Sequence, residues 1–185
     1  MLKQATSSLF ALLALAFMTF SGGEAQALPF VDTGLKIGYG NSMPSDEIDG
    51  LEISNFALGA AARADLAMLQ VEFNVLYFKQ TAKYSLAGSE SSVDSDFISL
   101  PLIVRFDFSP IPVLKLAAGL GYETRISLED TDGETQFNYV PLSITGDFKI
   151  PVIGSAGVEV RYSYMLDDPA GGKVNDLMFF GQVLF

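Results

Sequence analysis

Leu69-Gln70-Val71-Glu72-Phe73-Asn74-Val75-Leu76-Tyr77 alternates apolar and polar residues almost without a break. A period of two is the signature of a strand with two unlike faces. One parity of this stretch is Leu69, Val71, Phe73, Val75 and Tyr77; the other holds Gln70, Glu72 and Asn74. The stretch runs on to Lys83, which is longer than the 5–6 residues common in globular strands.

The same rhythm recurs along the chain. Eight segments carry it: Val31–Asn41, Ile53–Ala64, Leu69–Lys83, Phe97–Phe108, Leu114–Ser127, Phe137–Ile150, Ser155–Met165 and Asn175–Phe185. Each reaches the roughly 9–11 residues that a tilted strand needs to cross a bilayer. One parity is apolar throughout, for example Leu100, Leu102, Val104 and Phe106, or Val158, Val160, Tyr162 and Tyr164. The other carries Lys36, Arg63, Glu72, Arg105, Asp107, Lys115, Glu123, Arg125, Asp147, Lys149, Glu159, Arg161 and Asp176. A soluble sandwich puts its apolar face inside and mixes charges of both signs in its loops. Here the cations sit in mid-strand among carboxylates and small residues. A membrane barrel accounts for that, with the apolar parity toward lipid and the charged parity in the lumen. Leu76, Phe78, Ile103, Phe180 and Leu184 break the rule and imply a bulge or an apolar patch inside. Pro101 and Pro141 fall in mid-strand, where proline deletes a ladder hydrogen bond, and a local bulge is expected at each.

The connections alternate in length. Asp65–Met68, Ser109–Val113 and Pro151–Gly154 are tight, whereas Ser42–Glu52, Tyr84–Asp96, Leu128–Gln136 and Leu166–Val174 are long. The long ones carry Asp46, Glu47, Asp49, Glu52, Glu90, Asp94, Asp96, Glu129, Asp130, Asp132, Glu134, Asp167 and Asp168, against Lys173 as their only cation. Short turns on the periplasmic side and long outer loops are the habit of bacterial outer-membrane barrels. Rising strands finish in Tyr39, Tyr77, Tyr122, Tyr162 and Tyr164, and descending ones in Phe106, Phe108, Phe148 and Phe185, as interfacial aromatic belts would require.

Residues 1–27 read as a cleaved signal peptide: Lys3, the apolar run Leu9–Phe20, then Ala25-Gln26-Ala27 as the small-x-small cleavage site. The apolar run is shorter than the roughly 20 residues of a spanning helix. Residues 28–185 are then one outer-membrane β-barrel domain. The net charge of −11 opposes nucleic-acid binding, which needs a basic face. The 185 residues hold no cysteine and no histidine, so disulfides, thiolate metal sites and Ser-His or Cys-His nucleophile systems are excluded. Asp130-Thr131-Asp132-Gly133-Glu134 has half the look of a calcium loop, but Gly133 stands fourth where the sixth position is needed. No cofactor and no enzymatic activity are expected.

The carboxyl end, Leu177-Met178-Phe179-Phe180-Gly181-Gln182-Val183-Leu184-Phe185, resembles the outer-membrane assembly signal, with Phe179, Gly181, Val183 and Phe185 at its alternate positions. Phe97-Ile98-Ser99-Leu100-Pro101-Leu102-Ile103-Val104-Arg105-Phe106, followed by Leu116-Ala117-Ala118-Gly119-Leu120-Gly121, resembles the small outer-membrane β-barrel families of OmpA/OmpX or PorT-like porin type. That resemblance implies insertion by the outer-membrane assembly machinery and residence in the lipid bilayer. It does not imply one activity, since such barrels serve many tasks.

The expected fold is an all-β, eight-stranded, antiparallel up-and-down transmembrane barrel. The expected lumen network is Glu72, Arg105, Asp107, Lys115, Glu123, Arg125, Asp147, Glu159 and Arg161. Filled by ion pairs, it makes the chain a structural or surface-interaction barrel acting through acidic outer loops. Left open, the same charges make a narrow porin-like channel for ions or small solutes. The loops carry no motif that names a surface ligand.

Overall fold

The computed structural model describes residues 31–45, 51–86, 89–108, 113–129, 136–150, 154–167 and 172–185. The segment read as a signal peptide, and the calcium-like run from Asp130 to Glu134, lie outside the described residues.

Eight antiparallel strands form one closed barrel in sequence order. They are β1 (Val31–Pro44), β2 (Leu51–Leu66), β3 (Leu69–Leu86), β4 (Ser89–Asp107), β5 (Leu114–Ser127), β6 (Gln136–Ile150), β7 (Gly154–Met165) and β8 (Val174–Leu184). β1 closes on β8, from Gly34 opposite Leu184 to Pro44 opposite Val174. Closure leaves no unpaired edge along the wall, which an open sheet of such apolar strands would expose.

The strands are longer than the sequence periodicity predicts, most of all on one hairpin. Tyr84–Asp96, expected as a long loop, is mostly ladder: β3 and β4 pair from Lys79 opposite Asp96 up to Leu86 opposite Ser89. Alternation stops being apolar there, so hydrophobic period alone loses the strand. Thr81 and Asp94 hold this extension by a side-chain hydrogen bond of 2.7 Å, and Lys79 pairs with Asp94 at 2.8 Å. At the opposite end, Leu66 pairs with Leu69, so the expected four-residue turn shrinks to Ala67 and Met68. Ala67 takes a φ of 57°, a left-handed conformation that costs a residue with a Cβ.

No bulge forms at either mid-strand proline. Pro101 stays in register opposite Glu123, and Pro141 stays opposite Ser163. On the other flank of each proline the ladder skips two rungs, at residues 74–75 against 100–101 and at 121–122 against 140–141. The missing N–H therefore costs pairing on one side only. A single inserted residue would have exchanged the two faces of the strand beyond it, and the unbroken register avoids that.

The core lies inside the barrel and not between sheets. Outward residues are apolar and exposed, such as Leu35, Ile37, Phe73, Leu102, Leu120, Ile144, Val158 and Phe179. Inward residues are buried and mostly polar, including Lys36, Arg63, Arg105, Arg161, Glu72, Glu123 and Glu159. Phe106, Phe108, Phe148 and Phe185 are exposed near the short-turn end, and Tyr39, Tyr122 and Tyr164 are exposed near the other.

Candidate functional site

The interior of an eight-stranded barrel is only wide enough for side chains to fill, so what the inward parity delivers there defines the site. Two groups of ion pairs occupy it, and no ion pair joins them among the described residues.

The inner group lies toward the short-turn end. Lys36 Nζ from β1 reaches Glu72 Oε1 on β3 and Glu159 Oε2 on β7, both at 2.5 Å. Arg105 from β4 joins the same two carboxylates at 2.9 and 3.0 Å and donates from Nε to Ser143 Oγ at 2.6 Å. Arg161 Nε meets Glu159 Oε1 at 2.7 Å. Closer to the turns, Arg63 Nη1 meets Asp147 Oδ2 at 2.5 Å, and Gln182 Nε2 donates to the other oxygen of Asp147 at 2.6 Å. These residues are at most 4% exposed. Charges so far from water persist only when paired and hydrogen-bonded.

Above this group sits a small apolar layer of Ala57, Leu76, Phe78, Met178 and Phe180, with Phe97 against it. Leu76, Phe78 and Phe180, which break parity in the sequence, are thus an interior patch and not the mark of a bulge. Phe180 also faces the ions below, its ring centroid 4.6 Å from the Arg161 guanidinium carbon.

The outer group lies beyond the apolar layer, toward the long connections, and centres on Arg125 of β5. Its guanidinium carbon lies over two rings, 3.9 Å from the centroid of Phe78 and 4.1 Å from that of Tyr139. Its Nε meets Glu123 Oε1 at 2.6 Å, and its Nη1 pairs with Asp176 across the lumen on β8. Ser99 Oγ and Ser163 Oγ donate to the two oxygens of Glu123 at 2.9 and 3.1 Å. Asp176 accepts from Ser42 Oγ and from Asn55 Nδ2 at 3.0 Å. Gln80 Nε2 donates to Ser42 at 2.8 Å.

Of the nine network residues expected from sequence, Glu72, Arg105, Glu123, Arg125, Asp147, Glu159 and Arg161 are buried inside. Asp107 and Lys115 are only half-buried; they stand at the short-turn rim, where Lys115 pairs with Asp65. Lys149, on the same parity, is exposed at that rim. The strands end there, and parity loses its meaning once a residue clears the wall. Lys36, Arg63 and Asp176 lay on the charged parity but outside the expected network, and the structure places all three in it. Asn55, Gln80 and Tyr139 gave no charge signal, and their inward parity was the only cue; Ser42 was expected in a long connection, but β1 runs on to Pro44 and carries it into the lumen. Among the described residues, no three carboxylates gather as a metal site would require.

This architecture is that of the small eight-stranded barrels found in bacterial outer membranes. The chain is similar to neisserial surface protein A, with 15% identity over 84% of this chain and 97% of that one, at a TM-score of 0.51. It is also similar to Ail of Yersinia pestis (15% identity, 84% and 99% of the two chains, TM-score 0.43). A third similar structure is the N-terminal barrel domain of OprF of Pseudomonas aeruginosa (12%, 82% and 97%, TM-score 0.41). At these identities the likeness to neisserial surface protein A establishes the shared fold alone. No protein-family model matches the chain, and no curated protein does.

Proposed function

We propose that this chain is a bacterial outer-membrane barrel with a filled lumen, acting as a structural or surface-interaction protein through its acidic outer connections. One observation carries the reading: the protein is apolar outside and ionic inside. Leu120, Ile144 and Val158 are 60, 60 and 64% exposed, whereas Arg105, Glu72 and Glu159 are at most 1% exposed. In water that distribution would leave a continuous apolar girdle wet, the sort of patch that soluble monomers avoid. In a bilayer it is the expected arrangement.

Several further features fit. Residues 1–27 supply an export signal, and Phe179, Gly181, Val183 and Phe185 supply the alternating terminal pattern that assembly machinery would read. The short turns then face the periplasm and the acidic connections face outward. The interior carboxylates are committed to cations, which argues against acid–base chemistry and for a plug. Refolding into a planar bilayer tests the reading: the barrel should insert and stay electrically silent. Discrete conductance steps would favour the narrow-channel alternative, and failure to insert would remove the membrane reading itself.

A further inference from the structure

The apolar wall carries a groove between β4 and β5. Its volume is about 560 Å³, and its sides are Leu102, Val104, Phe106, Ala118, Leu120 and Tyr122. The sequence explains the dent. Along the outward row of β5, which is Leu116, Ala118, Leu120 and Tyr122, Ala118 alone is small. It stands opposite Phe106 on β4 and Ile144 on β6. Gly119 and Gly121 let the two backbones approach: a Cβ on Gly119 would lie 2.0 Å from the carbonyl oxygen of Val104, and one on Gly121 would lie 2.1 Å from that of Leu102. Both glycines line the groove, so part of its floor is bare main chain. The groove begins near the short turns at Phe106 and ends near the long connections at Tyr122.

A polar cluster begins where the groove ends, and Tyr122 belongs to both. The Tyr122 hydroxyl donates to Asn138 Oδ1 at 2.7 Å. Thr124 Oγ1 and Gln136 Nε2 donate to the same oxygen at 3.1 and 3.4 Å. Asp167 closes the other side, accepting from the Asn138 backbone N–H and from Asn138 Nδ2 at 3.4 Å. Thr124 stands opposite Asn138 and continues the outward row of Tyr122. The donors here are spent within the cluster, whereas the oxygens of Tyr122, Thr124, Gln136 and Asp167 keep acceptor capacity. Among the described residues, no Lys or Arg pairs with Asp167.

We propose that the groove and the cluster together form a binding site for one glycolipid molecule, with an acyl chain in the β4–β5 groove and a sugar headgroup on the Asn138 cluster. A concave apolar wall supplies affinity, and a few placed polar groups supply selectivity. The chain end follows from the walls, which are hydrocarbon over main chain and lie within the girdle that faces the bilayer. There a lipid chain gains close contacts that the surrounding ridges of Leu and Ile deny it. The headgroup follows from the cluster. An acceptor-rich surface takes a group that donates, and sugar hydroxyls donate without bringing charge. A phosphate would meet Asp167 with no cation to offset it, and unpaired charges of one sign repel. The inference rests on the reading that the girdle lies in a membrane, and it gives the surface-interaction role a lipid ligand.

The test is fluorescence quenching by lipids with brominated chains. The chain has no tryptophan, so one introduced indole reports its own surroundings. Leu142 lies opposite Leu120 on β6, beside the groove; Ile37 is exposed on β1, on the opposite wall. Leu142→Trp and Ile37→Trp are each refolded into phosphatidylcholine vesicles that carry a minor fraction of brominated glucosyl diacylglycerol. A second series carries phosphatidylethanolamine with the same brominated chains, which presents a donor beside a phosphate. With the glycolipid, quenching at Leu142→Trp should saturate at a mole fraction several-fold lower than at Ile37→Trp. With phosphatidylethanolamine the two should differ little. Ala118→Leu, which fills the groove, should bring Leu142→Trp to the level of Ile37→Trp. Asn138→Ala should remove the preference for the sugar headgroup. Equal quenching at both positions by the glycolipid, or a stronger response to phosphatidylethanolamine, would overturn the site. So would shielding of Leu142→Trp from both lipids that grows with the protein-to-lipid ratio, which would give the groove to a second copy. Quenching of Ile37→Trp reports insertion by itself, so its absence would instead remove the membrane reading, and the site with it. Both leaflets of the vesicle carry the lipid, so the result is independent of which way the barrel faces.

Discussion

At the scale of single residues, the seam between β1 and β8 depends on a glycine. Gly38 pairs with Phe180, and a Cβ placed on Gly38 would lie 2.4 Å from two carbons of the Phe180 ring. That ring cannot retreat easily, because it packs in the apolar layer and covers Arg161. Gly38→Ala should therefore destabilise by about 1–3 kcal/mol, the usual cost of overpacking. Pairing it with Phe180→Leu should recover part of the loss. Urea unfolding of the two single variants and the double variant in lipid vesicles measures this; strict additivity would mean that the ring is not the obstacle. Ala67 offers the reverse case. Its φ of 57° suits glycine, so Ala67→Gly should stabilise the β2–β3 turn by up to about 1 kcal/mol, the scale of the left-handed penalty. A loss of stability in the same assay would show that the entropy of the unfolded glycine outweighs the relief.

At the scale of one strand, β7 shows both what the sequence makes legible and where its information stops. Its alternation of Val158, Val160, Tyr162 and Tyr164 with Glu159 and Arg161 specifies a face for each side chain, and the structure keeps that order. Parity does not say which distant strand a side chain meets. Glu159 meets Lys36 of β1 and Arg105 of β4 across the lumen, a choice set by the stagger of the strands and not by any local pattern. The same gap hid the partners of Arg125, whose cage draws on β3, β5, β6 and β8. The prolines were misread for a related reason: a local rule asks for a bulge, but the cost of exchanging the two faces is borne by the whole strand. The two faces of β7 should respond unequally to truncation. Glu159→Ala leaves Lys36, Arg105 and Arg161 short of a buried partner and should cost on the order of 3–5 kcal/mol. Val160→Ala removes two methyl groups that face lipid and should cost far less. Comparable losses in vesicle unfolding would place the strand the other way round. On β8, Phe185 is 60% exposed at the short-turn end and makes backbone hydrogen bonds with Thr33. Phe185→Asp should reduce the amount inserted in cells more than it alters the barrel refolded in vitro, if assembly reads that terminal ring.

At the scale of the whole molecule, the two ends of the barrel are chemically unlike, and the proposed orientation rests on that difference. One end has tight connections and exposed Phe rings; the other has the extended β3–β4 hairpin, a tyrosine belt and nearly all the acidic connections. Both described chain ends, Val31 at the start of β1 and Phe185 after β8, lie at the first of these. An outward-facing acidic end would be kept hydrated and would sort approaching solutes by charge, whereas tight turns offer little to a partner. The chain contains no cysteine, so a single introduced thiol reports its own position without background. Ser92 is exposed on the β4 part of the extended hairpin, and Met68 is 60% exposed in the β2–β3 turn; neither touches the interior network. On intact cells, Ser92→Cys should react with a maleimide too large and too charged to cross the envelope. Met68→Cys should stay unlabelled until the outer membrane is permeabilised. The reverse pattern would put the acidic connections in the periplasm, where a surface role would be untenable. Equal labelling of the two before permeabilisation would mean that the apolar girdle does not lie in a membrane at all.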